Sequence, residues 1–168
     1  MYKHATQFLN SPNKPDLNRV PGKAEFEWAI LDRVVKMIAC QRFVDEVRRR
    51  WMAARNQLQR NGKLPTAFDE ACRRIEGIGA LEQIVPVSRR DVRRLSKSRL
   101  DRILAGTAAD HLRYMQTATK VRELSDFQYE QFGAIFAIPG AGRSCGSDLR
   151  IDELFDQFED AARAELRD

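Results

Sequence analysis

The sequence predicts an all-α fold: a compact bundle of about five to seven helices around one long helix in the N-terminal half, preceded by an extended arm. Apolar residues recur at helical spacing through most of the chain. Only residues 80–85 could form a strand, and they have no second strand to pair with, so a helical turn is expected there. With 168 residues and 43% apolar content, the chain is long enough for one domain with a hydrophobic core.

The first two segments are an extended arm and the long helix. Residues 1–23 contain three prolines, which lack an N–H and restrict the preceding residue, so this segment is predicted to be extended. From about Ala24 to Arg60 the pattern predicts one helix, which ends at Asn61-Gly62 and does not resume because of Pro65. Its apolar stripe comprises Phe26, Ile30, Val34, Met37, Val44, Val47 and Trp51.

Capping signals predict where the later helices begin. Thr66 is expected to cap a second helix that ends at Gly77. Further helix starts are predicted at three positions, two from capping-box-like pairs and one from a Ser-Asp pair. These are Ser88, Thr107 and Ser125, and the last predicted helix runs from about Asp148 to Leu166 after a loop at residues 139–147.

The chain shows no sign of export or membrane insertion. Its three cysteines are far apart, which fits a reducing compartment better than a disulfide framework. No apolar run approaches the ~20 residues that span a bilayer, and the N-terminus lacks a signal-peptide core. A cytoplasmic location is therefore expected.

Charge divides the chain into a basic body and an acidic end. Residues 1–126 carry a net charge of +10 and residues 127–168 carry −5. The predicted organisation is an arm at 1–23, a basic helical body at 24–147 and an acidic amphipathic helix at 148–168, all in one domain. A basic body favours polyanions such as nucleic acid.

The densest positive charge lies between Ser88 and Arg122, which together carry a net +7. One continuous helix there would place Arg99 in the middle of the apolar face that contains Val92 and Ile103. Burying an unpaired guanidinium is costly, so a helix break near Ser96 is expected.

Two helices follow from this break. A short helix would end at Leu95, and a second would run from Lys97 to Ala105 and be capped by Gly106. Leu100 and Ile103 would then point inward and Arg99 outward.

Residues 96–106, SKSRLDRILAG, resemble the recognition helix of phage-repressor-type helix-turn-helix proteins, which bind DNA. The shared features are a Ser-x-Ser-Arg-Leu start, an Ile-Leu pair and a terminal Gly. The resemblance implies that Lys97, Ser98, Arg99 and Arg102 face the major groove, where Arg can bind guanine bidentately.

Two less specific interpretations of the basic residues stay open. One is electrostatic binding of a phosphate backbone without base recognition, and the other is a solvated basic hairpin with no ligand. The residues predicted to bind nucleic acid are Arg48, Arg49, Arg89, Arg90, Arg93, Arg94, Lys97, Ser98, Arg99 and Arg102.

The sequence offers no assembled catalytic or metal-binding set. The chain has only two histidines, and no cysteine is at ligand spacing from another or from a histidine. The stretch PGAGRSCGS lacks the lysine of a phosphate-binding loop. No enzymatic activity, cofactor or metal is therefore expected.

The predicted function is a small, non-enzymatic nucleic-acid-binding protein of regulatory or accessory type, with DNA favoured over RNA, as in phage or plasmid transcription regulators. The alternative is a protein-protein interaction module, an adaptor, inhibitor or subunit of a nucleoprotein complex, that uses the C-terminal helix for a partner or for self-association. Its predicted contact residues are Ile151, Leu154, Phe155 and Phe158.

Overall fold

A computed structural model describes residues 22–85, 87–132 and 153–166 of the chain. Within these ranges the fold is all-α, as predicted, and none of its helices is both long and apolar enough to cross a membrane. The predicted arm at 1–23, apart from its last two residues, and the predicted loop at 139–147 lie outside the described residues. The helices in the described ranges are α1 (Lys23–Arg60), α2 (Thr66–Glu76), α3 (Arg89–Arg93), α4 (Lys97–Phe132) and α5 (Leu154–Glu165).

Helix α1 is the predicted long helix, and each of the other four helices packs against it. At its start the Glu25 carboxylate accepts a hydrogen bond from the Gly22 N–H. At its end Gly62 has a φ of +66°, a left-handed conformation that glycine adopts without steric cost. The predicted boundaries of this helix are therefore confirmed.

Helix α4 corrects the prediction of separate helices starting at Thr107 and Ser125. It runs unbroken for 36 residues, through Gly106. The two hydroxyls have other partners: Thr107 Oγ1 donates to the Ile103 carbonyl 2.8 Å away, and Ser125 Oγ accepts from the Trp51 indole. A mid-helix glycine costs only about 1 kcal/mol, which packing along the helix can offset.

Helices α1 and α4 lie side by side and run in the same direction. The sulfur atoms of Cys40 and Met115 are 3.3 Å apart, and Trp51 Nε1 donates to Ser125 Oγ at 2.7 Å. The residue numbers of both helices increase from the first contact to the second, so the two helices are parallel. Trp51 is fully buried, so this contact forms the centre of the core.

The segment between the two long helices must return along their length. Helix α2 packs at the far end, where the Phe68 ring lies 5.8 Å from Trp51 and 5.3 Å from Phe132. The Tyr114 hydroxyl then donates to the Glu82 carbonyl at 2.7 Å and fixes the returning chain.

Two smaller predictions in this region were wrong. Residues 80–85 form no helical turn, because Leu81 is buried in the core and the backbone must stay extended enough to cover the distance back. Helix α2 is preceded by Pro65 as its N-cap, and Thr66 is its first helical residue.

Helix α5 uses its apolar face within the chain. Leu154 and Phe155 are buried, and the Phe155 ring lies 6.1 Å from that of Phe43 in an edge-to-face arrangement. Phe158 is half-buried against the same core. The predicted contact face is thus occupied by α1, which corrects its assignment to an external partner; Ile151 lies outside the described residues.

Buried charges reinforce the contact between α1 and α5. Asp32 accepts from Lys36 at 3.0 Å and from Arg163 at 3.1 Å, and Arg163 also lies 3.6 Å from Glu159. Lys36 and Glu159 are almost fully buried. Such charges are tolerated only when they are paired, so this network fixes where α5 packs.

Truncation of Phe68 tests the far end of the core. Phe68→Ala removes a fully buried ring and should lower the free energy of unfolding by about 3–5 kcal/mol in urea denaturation. Leu112→Ala is the control, because Leu112 is 57% exposed and its loss should change stability by less than about 0.5 kcal/mol. Equal, small effects of the two substitutions would contradict this packing.

Candidate nucleic-acid interface

Two capped helices joined by a short turn form the candidate interface. The Ser88 hydroxyl accepts from the Asp91 N–H at 3.0 Å and starts α3. After a turn of three residues, 94–96, the Ser96 hydroxyl accepts from the Arg99 N–H at 3.3 Å and starts α4. The predicted helix break near Ser96 is confirmed, whereas the predicted end at Gly106 is wrong because α4 continues past it.

A small apolar cluster holds α3 and the start of α4 against the start of α1. Its buried members are Ile30 from α1, Val92 from α3 and Leu100 from α4. Arg99 is exposed, as the break predicts. Side chains that pack around this cluster are Phe26, Leu31, Val34, Leu95, Ile103 and Leu104.

The outer side of this three-helix unit is a basic surface, defined here as the Lys and Arg residues between 89 and 102 together with Ser98. Seven cations and two aspartates fall in this range, a net charge of +5. Arg89 is half-buried, and the other members are exposed. The exposed members are Arg90, Arg93, Arg94, Lys97, Ser98, Arg99 and Arg102.

Most of these cations have no carboxylate partner within the described ranges. This holds for Arg93, Arg94, Arg99 and Arg102, while the Lys97 ammonium lies 5.9 Å from the centre of the Phe26 ring. Several cations elsewhere are paired with carboxylates. Examples are Arg42 with Glu165 at 2.7 Å, Arg50 with Glu46 at 2.9 Å and Arg163 with Asp32 at 3.1 Å. The basic surface therefore carries uncompensated charge.

Lys23 is a neighbour of this surface that the sequence did not indicate. Its ammonium donates to the Arg93 carbonyl at 2.7 Å, across a sequence separation of 70 residues. It also lies 3.7 Å from Glu27. No local pattern could have revealed it, because the contact depends on α3 returning to the start of α1.

Arg48 and Arg49 are not part of the basic surface. At ~1.5 Å of rise per residue, Arg48 lies about 33 Å along α1 from Phe26. Arg48 donates to the Glu76 carbonyl at 3.0 Å, and Arg49 donates to Glu46. The structure thus brings eight of the ten predicted nucleic-acid contacts together and separates these two.

The described thiols are poorly suited to nucleophilic chemistry. Burial raises the pKa of Cys40 to about 12 and that of Cys72 to about 11. The pKa of His111 is lowered, mainly by burial and to a smaller extent by the positive charges of Arg33 and Lys36. No group of three potential metal ligands occurs in residues 22–85, 87–132 and 153–166, and Cys145 falls outside those ranges.

Substitution of Ser96 tests whether its side-chain cap determines where α4 begins. Ser96→Ala removes the cap and should lower the free energy of unfolding by about 1 kcal/mol, whereas Ser96→Asp retains an acceptor and should not. Ser98→Ala is the matched control: Ser98 is exposed, and its hydroxyl lies 3.3 Å from that of Ser96 but does not cap the helix. Equal effects of the two alanine substitutions, in thermal or urea denaturation, would show that Ser96 does not determine where α4 begins.

No protein-family model, curated protein or solved structure matches this chain. The fold and the chemistry of its surfaces are therefore the grounds on which a function is proposed.

Proposed function

We propose that this chain is a non-enzymatic DNA-binding protein of regulatory or accessory type, and that the basic surface contacts the duplex. The observation that carries the proposal is the concentration of exposed cations, most of them without carboxylate partners in the described ranges, at one end of the helical body. Several cations elsewhere on the chain, such as Arg42, Arg50 and Arg163, pair with carboxylates instead. Uncompensated positive charge attracts the phosphate backbone and releases its counterions.

The geometry of α3 and α4 supports contact through a helix-turn-helix unit. A three-residue turn joins the two helices, and the cluster of Ile30, Val92 and Leu100 holds them on α1. Lys97, Arg99 and Arg102 then point outward from the first two turns of α4. In this arrangement the start of α4 enters the major groove and the cations of α3 contact the adjacent backbone.

Duplex DNA fits this surface better than RNA does. A helix enters the major groove of B-form DNA, which is ~12 Å wide, but not the deep, narrow major groove of A-form RNA. Single-stranded RNA is bound largely by stacking on exposed aromatic rings. Among the described residues, the clearly exposed aromatic rings are Phe127 and Tyr129, at the opposite end of α4.

Paired arginine substitutions test the proposal. Arg99→Ala with Arg102→Ala should weaken binding to a duplex of ~20 base pairs by at least about thirtyfold at ~50 mM salt, because two outward contacts are lost at about 1–3 kcal/mol each. The slope of log affinity against log salt should fall by about 2. Fluorescence anisotropy with a labelled duplex measures both quantities.

The chain provides a control of equal charge. Arg48→Ala with Arg49→Ala removes the same two charges about 33 Å along α1 from Phe26, and this variant should stay within about threefold of the original affinity. Equal losses in the two variants would mean that binding follows net charge alone. No salt-sensitive binding of the unaltered chain would contradict the proposal itself.

A further inference from the structure

A long groove separates α2 from the second half of α4. It consists of two adjoining depressions of about 670 and about 240 Å³, which share Arg74. The larger is lined by Arg74, Gly77, Ile78, Gly79, Gln116, Thr117, Lys120 and Leu124. The smaller continues past Arg74 to Phe127 and Phe132.

The floor of the groove is apolar. Ile78 and Leu124 are partly buried and pack against the main core, and Phe127 is 52% exposed. Contact of an exposed phenylalanine ring with water is unfavourable, and covering the ring with a partner's apolar side chains lowers the free energy. The groove therefore has the character of a contact surface.

The two walls carry positive charge. Arg74 projects from α2 and Lys120 from α4, and neither has an ion pair within the part of the chain that the structure describes. The neighbouring Arg73 and Arg55 differ, because both pair with Asp69. One carboxylate, Glu70, lines the smaller depression. The middle of the groove is therefore cationic above an apolar floor.

The dimensions suit a helix. From Gln116 to Gln131 the groove follows α4 for about 22 Å, which equals roughly four helical turns. Gly77 and Gly79 present no side chain along one wall, and the space beside Gly79 is open. A helix can thus approach the backbone closely there.

We propose that this groove binds an acidic amphipathic helix of a partner protein. Apolar side chains of that helix cover Ile78, Leu124 and Phe127, and its carboxylates pair with Arg74 and Lys120. The occupant is a protein helix and not nucleic acid, because two cations above an apolar floor do not provide a continuous track for phosphates. Lys120 lies about 35 Å along α4 from Lys97, so the groove is separate from the basic surface.

Selection from a library of random 16-residue peptides, with the full chain as target, tests this inference. Enriched peptides should carry excess Asp and Glu, with apolar residues spaced three and four apart. For a synthetic peptide of the winning sequence, Arg74→Glu with Lys120→Glu should raise Kd at least about tenfold. Arg60→Glu with Lys63→Glu is the control of equal charge change, since both residues are exposed and line neither depression.

Several results would overturn the inference. One is enrichment of peptides without acidic bias, and another is an unchanged Kd in the double variant, once circular dichroism has shown it folded. A loss of duplex DNA affinity in the double variant, without loss of peptide binding, would assign the groove to nucleic acid. A dimer of the unaltered chain that the double variant abolishes would assign it to a second copy. The proposed DNA binding is tested with other residues, so either proposal can fail alone.

Discussion

The two long helices α1 and α4 run parallel, and most of the molecule follows from that alignment. Their seam contains the Trp51–Ser125 hydrogen bond and the Cys40–Met115 contact. Parallel neighbours cannot be joined by a short loop, so the connecting chain must travel back over the whole length of the pair. That return places α2 at the far end and α3 at the near end, where it packs beside the first turns of both long helices.

The returning segment also brings positive charges together at one end of the molecule. Cations on α3 and on the start of α4 are close in sequence, and the apolar cluster of Ile30, Val92 and Leu100 turns them outward together. Carboxylates of α5 are used elsewhere: Glu165 pairs with Arg42, and Glu159 lies beside Arg163. These α5 carboxylates thus pair with Arg42 of α1 and Arg163 of α5, and not with the cations of the basic surface.

Much of the fold could be predicted because it depends on residues that are close together in the sequence. The apolar stripe of α1 and its Asn61-Gly62 end are visible in sequence, and the cost of burying Arg99 located the break before α4. The unbroken α4 was not predictable in this way, since Ser125 looks like a cap until Trp51 supplies an indole donor across the seam. Packing between distant segments likewise decides three further features. These are the contact of Lys23 with α3, the position of Arg48 and the burial of Phe155.

We propose that one end of the molecule binds duplex DNA. A titration of ¹⁵N-labelled protein with a duplex of ~20 base pairs, followed by amide chemical shifts, tests it most directly. We expect the largest changes at residues 88–102 and at the first turns of α1. Changes centred on Arg48 to Arg50, or spread evenly along the molecule, would contradict it.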